Sequence, residues 1–146
     1  MVTSRLAQAL IAAFPNLSNE EFEIVVQPSE DYNCIAYAAD DVSQPWDYNA
    51  NHYWPPWATR DSRIESLREV FSGLGYEQCD NADLEDGYLK VALYESQGES
   101  KHAAAQMPNG AWRSKMGEGP LIEHRSPESL SGGIYGEVYC LMRRPL

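Results

Sequence analysis

The chain has 146 residues, 43% hydrophobic and 11% aromatic, which suits one packed core and a single domain over residues 1–146. Its 22 Asp and Glu against 11 Lys and Arg leave a net charge of −11 with neutral histidines, which argues against nucleic acid and anionic membranes as partners and leaves a basic protein or peptide open. No stretch approaches the roughly 18 apolar residues of a membrane helix, Met1 to Phe14 lacks a leader-peptide pattern, and three cysteines without a disulfide spacing point to a reducing compartment, the cytoplasm.

Leu6, Leu10, Ile11 and Phe14 recur near helical spacing until Pro15, which predicts a short amphipathic helix over residues 4–14. Phe22, Ile24 and Val26 alternate with Glu21, Glu23 and Val25, as a strand would. Good helix formers follow the cap-type residues Ser29, Asp31 and Asn33. A helix is therefore expected to open near Cys34, with Ile35, Ala39 and Val42 as its buried stripe and the cysteine on the edge of that stripe. Pro45 to Pro56 carries Trp46, Tyr48, His52, Tyr53 and Trp54, with Trp57 just beyond. It is too proline-rich and aperiodic for a regular element and reads as an aromatic loop.

Ser62-Arg63-Ile64-Glu65 has the pattern of a capping box, and Ile64, Leu67, Val70, Phe71 and Leu74 continue a helix that Gly73 and Gly75 end. Tyr88 to Tyr94 alternates as a central strand. His102–Met107 and Ala111–Met116 flank Pro108-Asn109-Gly110, a tight-turn signal, and predict a hairpin. Tyr135 to Arg143 alternates as a closing strand. The expected class is α+β, with N-terminal helices packed on an antiparallel sheet of about four strands.

Thiol chemistry needs a thiolate, and a helix N-terminus beside an imidazole lowers a cysteine pKa. Cys34 meets the first condition, and His102, at the start of a strand, is the candidate imidazole. A two-residue turn at Asn109-Gly110 would set Met107 opposite Trp112 and Gln106 opposite Arg113, bringing Lys115 and Gly117 to the histidine face. A one-residue change in loop length brings Ser114 there instead. His124, after Pro120, is the other candidate orienter of the ring, and the choice between Ser114 and His124 stays open.

The runs Tyr32-Asn33-Cys34-Ile35-Ala36-Tyr37-Ala38, Tyr53-Trp54-Pro55-Pro56, Lys90-Val91-Ala92-Leu93-Tyr94, His102-Ala103-Ala104, Asn109 to Gly117 and Ile122-Glu123-His124 together resemble a family of small uncharacterised bacterial proteins. The order of helix-borne cysteine, strand and histidine-led hairpin is more remotely similar to NlpC-type members of the papain-like superfamily. That similarity implies Cys34 as nucleophile, His102 as base and a polar third residue, with hydrolysis or acyl transfer at an amide or ester. NlpC-type enzymes carry Asp-Cys-Ser where this chain has Asn33-Cys34-Ile35, and their third residue falls near Ser114. Tyr32 and Asn33 beside the cysteine, with Trp46 and Trp54, are the candidate contacts to a small-molecule or peptide substrate.

Plainer roles compete for some of these residues. Cys140 alternates with an apolar strand face and reads as core, Cys79 as a structural thiol, and His52 as a loop residue stacked on its aromatic neighbours. Trp46, Trp54 and Trp57 either wall a groove beside Cys34 or cap one end of the core. Cys34, Cys79, His102 and His124 lack zinc-ligand spacing, so no metal or cofactor is called for. The second functional reading is a non-catalytic module whose acidic surface and aromatic loop hold a protein partner.

Overall fold

Seven strands pair antiparallel throughout in the order β1-β6-β5-β4-β3-β7-β2. They are β1 (Glu23–Val26), β2 (Glu77–Cys79), β3 (Tyr88–Ser96), β4 (Glu99–Gln106), β5 (Trp112–Lys115), β6 (Leu121–His124) and β7 (Glu137–Pro145) in a computed structural model that describes residues 4–146. The reading of Met1 to Phe14 as lacking a leader pattern rests partly on residues 1–3, which lie outside the described residues. Among the described residues three α-helices accompany the sheet, α1 (Arg5–Ala13), α2 (Cys34–Ala38) and α3 (Ile64–Gly73), with short 3₁₀ turns at Pro15–Asn19 and Pro127–Leu130. Among the described residues no helix is long and apolar enough to cross a membrane.

This overturns the expected α+β domain of about four strands in NlpC-type order: the chain is mostly β, and its helices are few and short. The extra strands include β2 and β6, of three and four residues, which are too short for alternation to mark them. β2 exists because β7 pairs with it, and β6 because β5 and β1 flank it.

The sheet buries both faces, as a sheet covered on each side must. Val91, Leu93, Ala103, Cys140 and Met142 face α2, α3 and the aromatic segment, packing against Ala36, Trp46, Trp54, Leu67 and Phe71. Ala92, Tyr94, Ala104, Trp112 and Ile122 point the other way, onto Leu10 of α1, Phe14 just after it, and Leu17 and Leu130 of the 3₁₀ turns. The α1 helix begins on a Ser4 cap, whose side chain accepts the Ala7 N–H at 3.1 Å.

Two helical details differ from the sequence expectation. The α2 helix stops after five residues because Asp40 takes a left-handed φ of 68° and Asp41 folds a turn onto the Ser43 N–H at 2.8 Å. Its buried residues are consequently Ala36 and Ala38, while Val42 lies beyond the helix in solvent. At α3 the Ser62–Glu65 capping box does not form; Asp61 accepts the Arg63 N–H at 3.0 Å instead.

Candidate functional site

Strands β4 and β5 are in register only at Ala105/Arg113 and Gln106/Trp112, and beyond Ala105 they part. The N–H of Met107 reaches the Ala111 carbonyl at 2.7 Å, so by strand alternation the N–H of Ala105 and of Ala103 point to the same edge. At Ala103 no β5 residue is in register to accept it, and the Cys34 sulfur lies beside this N–H instead. The start of α2 thus plugs the split between β4 and β5.

Asn33 positions that plug. Its side-chain oxygen accepts the N–H of Ala36 and of Trp46, both at 3.1 Å, and its amide donates to the Trp46 carbonyl at 2.7 Å. One residue therefore caps α2 and ties the aromatic segment to it. Asn33 is occupied structurally, and Trp46 and Trp54 are buried in the core, so none of these three expected substrate contacts has its polar group free for one. Tyr32 packs beside them, its ring 5.1 Å from the Lys115 ammonium.

Cys34 is half-buried as a residue, and burial of its sulfur pushes the thiol pKa up. The N–H groups of Ala103, Ile35 and Cys34 itself pull the other way and do not overcome the desolvation. Cys34 therefore rests as a neutral thiol at neutral pH.

His102 lies inside β4 rather than at the start of a strand, directly before Ala103, and the alternation of the strand sends its ring to the opposite face. There it is sealed between Tyr94, with ring centroids 5.1 Å apart, and Tyr135, at 4.2 Å and 9° from parallel. Neither ring nitrogen has a hydrogen-bond partner, so the ring makes no bond to the Cys34 sulfur. Burial drives the imidazole well below its ordinary pKa, with His124 adding to the effect, so His102 is neutral.

The hairpin closes with one residue more than a two-residue turn, pairing Gln106 with Trp112 and placing Ser114 on the His102 face. The register with Met107 opposite Trp112 is thereby corrected. Ser114 and His124 are not rivals but partners, with Ser114 Oγ 2.8 Å from His124 Nε2 and His124 Nδ1 2.9 Å from the Ser126 carbonyl. The carbonyl can only accept, so Nδ1 carries the proton and the Ser114 hydroxyl donates to Nε2. Both residues are buried.

Lys115, expected on the histidine face, turns to the Cys34 side, where the thiolate form would raise its pKa against the burial that lowers it. Its fully buried ammonium donates to the carbonyls of Ser29 and Gly117, each at 2.6 Å. Sequence reading passed over Lys115 and Tyr135 as site residues. Only the Ser114-Lys115-Met116 run, inside a hairpin with an uncertain turn length, hinted at the first. Among the described residues no three His, Cys, Asp or Glu side chains gather as a metal site would require.

The arrangement supplies one half-buried cysteine in a sheet split, a sealed neutral imidazole on the other face, and a buried serine–histidine pair that braces β5 to β6. No curated protein and no solved structure matches the chain. Residues 23–143, which contain the split, the hairpin and both buried histidines, match a domain of unknown function, DUF7689, and the chain belongs to that family.

Proposed function

We propose that the chain is a recognition module for a basic, partly apolar protein segment, presented by the stretch from Val42 to Trp57, and that it works in the cytoplasm, where its three free cysteines stay reduced. The observation that carries this reading is the exposure of large apolar side chains on a pinned backbone: Val42 is 59% exposed, Trp57 46%, Tyr48 39% and Tyr53 36%. The stretch is tied down by Asn33, by the Trp46 indole on Asp41 at 2.8 Å, and by Arg60 on the carbonyls of Asn49 and His52. A surface already ordered loses little entropy on binding, and aromatic side chains contribute most to such contacts. Asp40, Asp41 and Asp47 accompany it, with no Lys or Arg from Val42 to Thr59, so a cationic partner is favoured.

The test is calorimetric titration with a synthetic peptide alternating arginine with leucine or tryptophan, at low and high salt. Saturable binding that weakens with salt and falls at least tenfold in Tyr48→Ser/Tyr53→Ser, but is unchanged in Cys34→Ser, supports the reading. Binding that ignores the tyrosine substitutions overturns it.

A second reading, thiol hydrolase or acyltransferase chemistry at Cys34, is favoured by one observation: the sulfur sits beside the backbone N–H groups of Ala103, Ile35 and Cys34 itself. It ranks second because the thiol is protonated and His102 does not bond it. Turnover of amide or ester substrates that disappears in both Cys34→Ala and His102→Gln would reverse the order.

A further inference from the structure

The α2 helix is too short to cover the sheet face beneath it. Past its last turn lies an open row that crosses β4, β3, β7 and the approach to β2. By register Leu89 sits opposite Arg144 and, two residues before the Val91/Ala105 pair, opposite Met107, while Tyr76 precedes Glu77, the partner of Arg143. With Ala38, Ala39 and Tyr37 on the helix side and Asp40 at its end, this row bounds a cleft of about 230 Å³.

Arg144 differs from its neighbour. Arg143 points to the other face and is paired with Glu85 and Glu77. Arg144, on the cleft face, lies 5.0 Å over the Tyr76 ring and donates through one nitrogen to the Leu74 carbonyl at 3.2 Å, and no ion pair among the described residues includes it. A guanidinium has five N–H donors in a rigid fork. Stacked on a ring and anchored at one nitrogen, it holds the remaining donors in place for an oxyanion.

The floor is apolar, made of Leu89, Ala105 and Met107, with the Tyr37 hydroxyl turned to the Met107 sulfur at 3.9 Å. Asp40 lines the same cleft without pairing to Arg144, so the site opposes a second negative charge on the ligand. We infer that this cleft binds a small monocarboxylate with an apolar body, its carboxylate on Arg144 and its body over Leu89, Ala105 and Met107. The site lies at the far end of α2 from Cys34 and borders the recognition surface at Asp40 and Val42, while Arg144, Leu89, Ala105 and Met107 lie outside that surface.

The experiment is titration of isotope-labelled protein with 3-phenylpropionate, its neutral amide and inorganic phosphate, followed by amide chemical shifts. Saturable shifts centred on Leu89, Ala105 and Met107 are expected for the carboxylate, with the amide and phosphate at least tenfold weaker. Arg144→Gln should weaken carboxylate binding at least tenfold. Asp40→Asn, which keeps a residue tolerant of the left-handed conformation, should strengthen it two- to threefold. Absence of saturable shifts, equal binding of the amide, or an affinity unchanged in either variant would overturn the assignment.

Discussion

The His102 ring lies flat against Tyr135, centroids 4.2 Å apart and planes 9° from parallel, while both of its nitrogens go without a hydrogen bond. A buried polar ring kept without partners is costly. Its contribution here is therefore packing. His102→Phe preserves the stacking and removes two unpaired nitrogens, so it should stabilise the fold by about 1 kcal/mol at pH 7.5, measured by urea denaturation.

The same histidines make stability depend on pH. Burial is the first cause lowering the pKa of His102 and of His124 below the ordinary 6.5. Below 6.5 the unfolded chain takes up protons at these rings while the folded chain does not, so stability is present above that pH and is lost as pH falls through 6.5 toward the lower folded values. Urea midpoints should fall between pH 7.5 and 5.5, and His102→Phe should flatten the slope. Asp41, held down to about 2 chiefly by its hydrogen bonds to Ser43 and Trp46, contributes only at much lower pH.

Ser114 is a brace for β6. Ser114→Ala would leave His124 Nε2 buried without its donor, at a cost of about 1–3 kcal/mol. The loss should appear in thermal and urea unfolding, and in faster hydrogen exchange at Ile122 and His124.

The raised pKa of the Cys34 thiol sets its reactivity. Iodoacetamide should modify Cys34 more slowly than a model thiol at pH 7, with the rate still climbing at a pH where the model thiol has levelled off, when sites are resolved by peptide mass spectrometry. Alkylation faster than the model thiol at pH 6 would instead favour the thiol-chemistry reading.

Lys115→Met removes the donor that joins Ser29 to Gly117 and leaves two carbonyls unpaired. A loss of about 2 kcal/mol is expected, and Tyr32, which lies under the ammonium, should become more mobile by relaxation measurements.

The local features that were legible in the sequence are those fixed by neighbours along the chain. Leu6, Leu10 and Ile11 mark α1 through helical spacing, Asn33 marks the start of α2 as a cap, and alternation marks β3, which is buried on both faces, and β7, which buries Cys140 and Met142 on one face. The aromatic segment after Pro45 was legible as a loop because prolines and missing periodicity exclude regular structure.

Other features depend on partners distant in sequence. Glu77–Cys79 and Leu121–His124 become strands only because β7 and β5 lie beside them, which is why the sheet has seven strands and not four. One extra residue in the turn after Met107 decided the faces of Ser114 and Lys115, since side chains in a strand alternate with period two. The chain alone determined that a cysteine would open α2 and that a histidine would sit on a strand. Tertiary structure alone decided that the sulfur would meet the Ala103 N–H in the sheet split while the imidazole turned to the opposite core, because strand alternation and the parting of β4 from β5 are set by pairing rather than by local sequence.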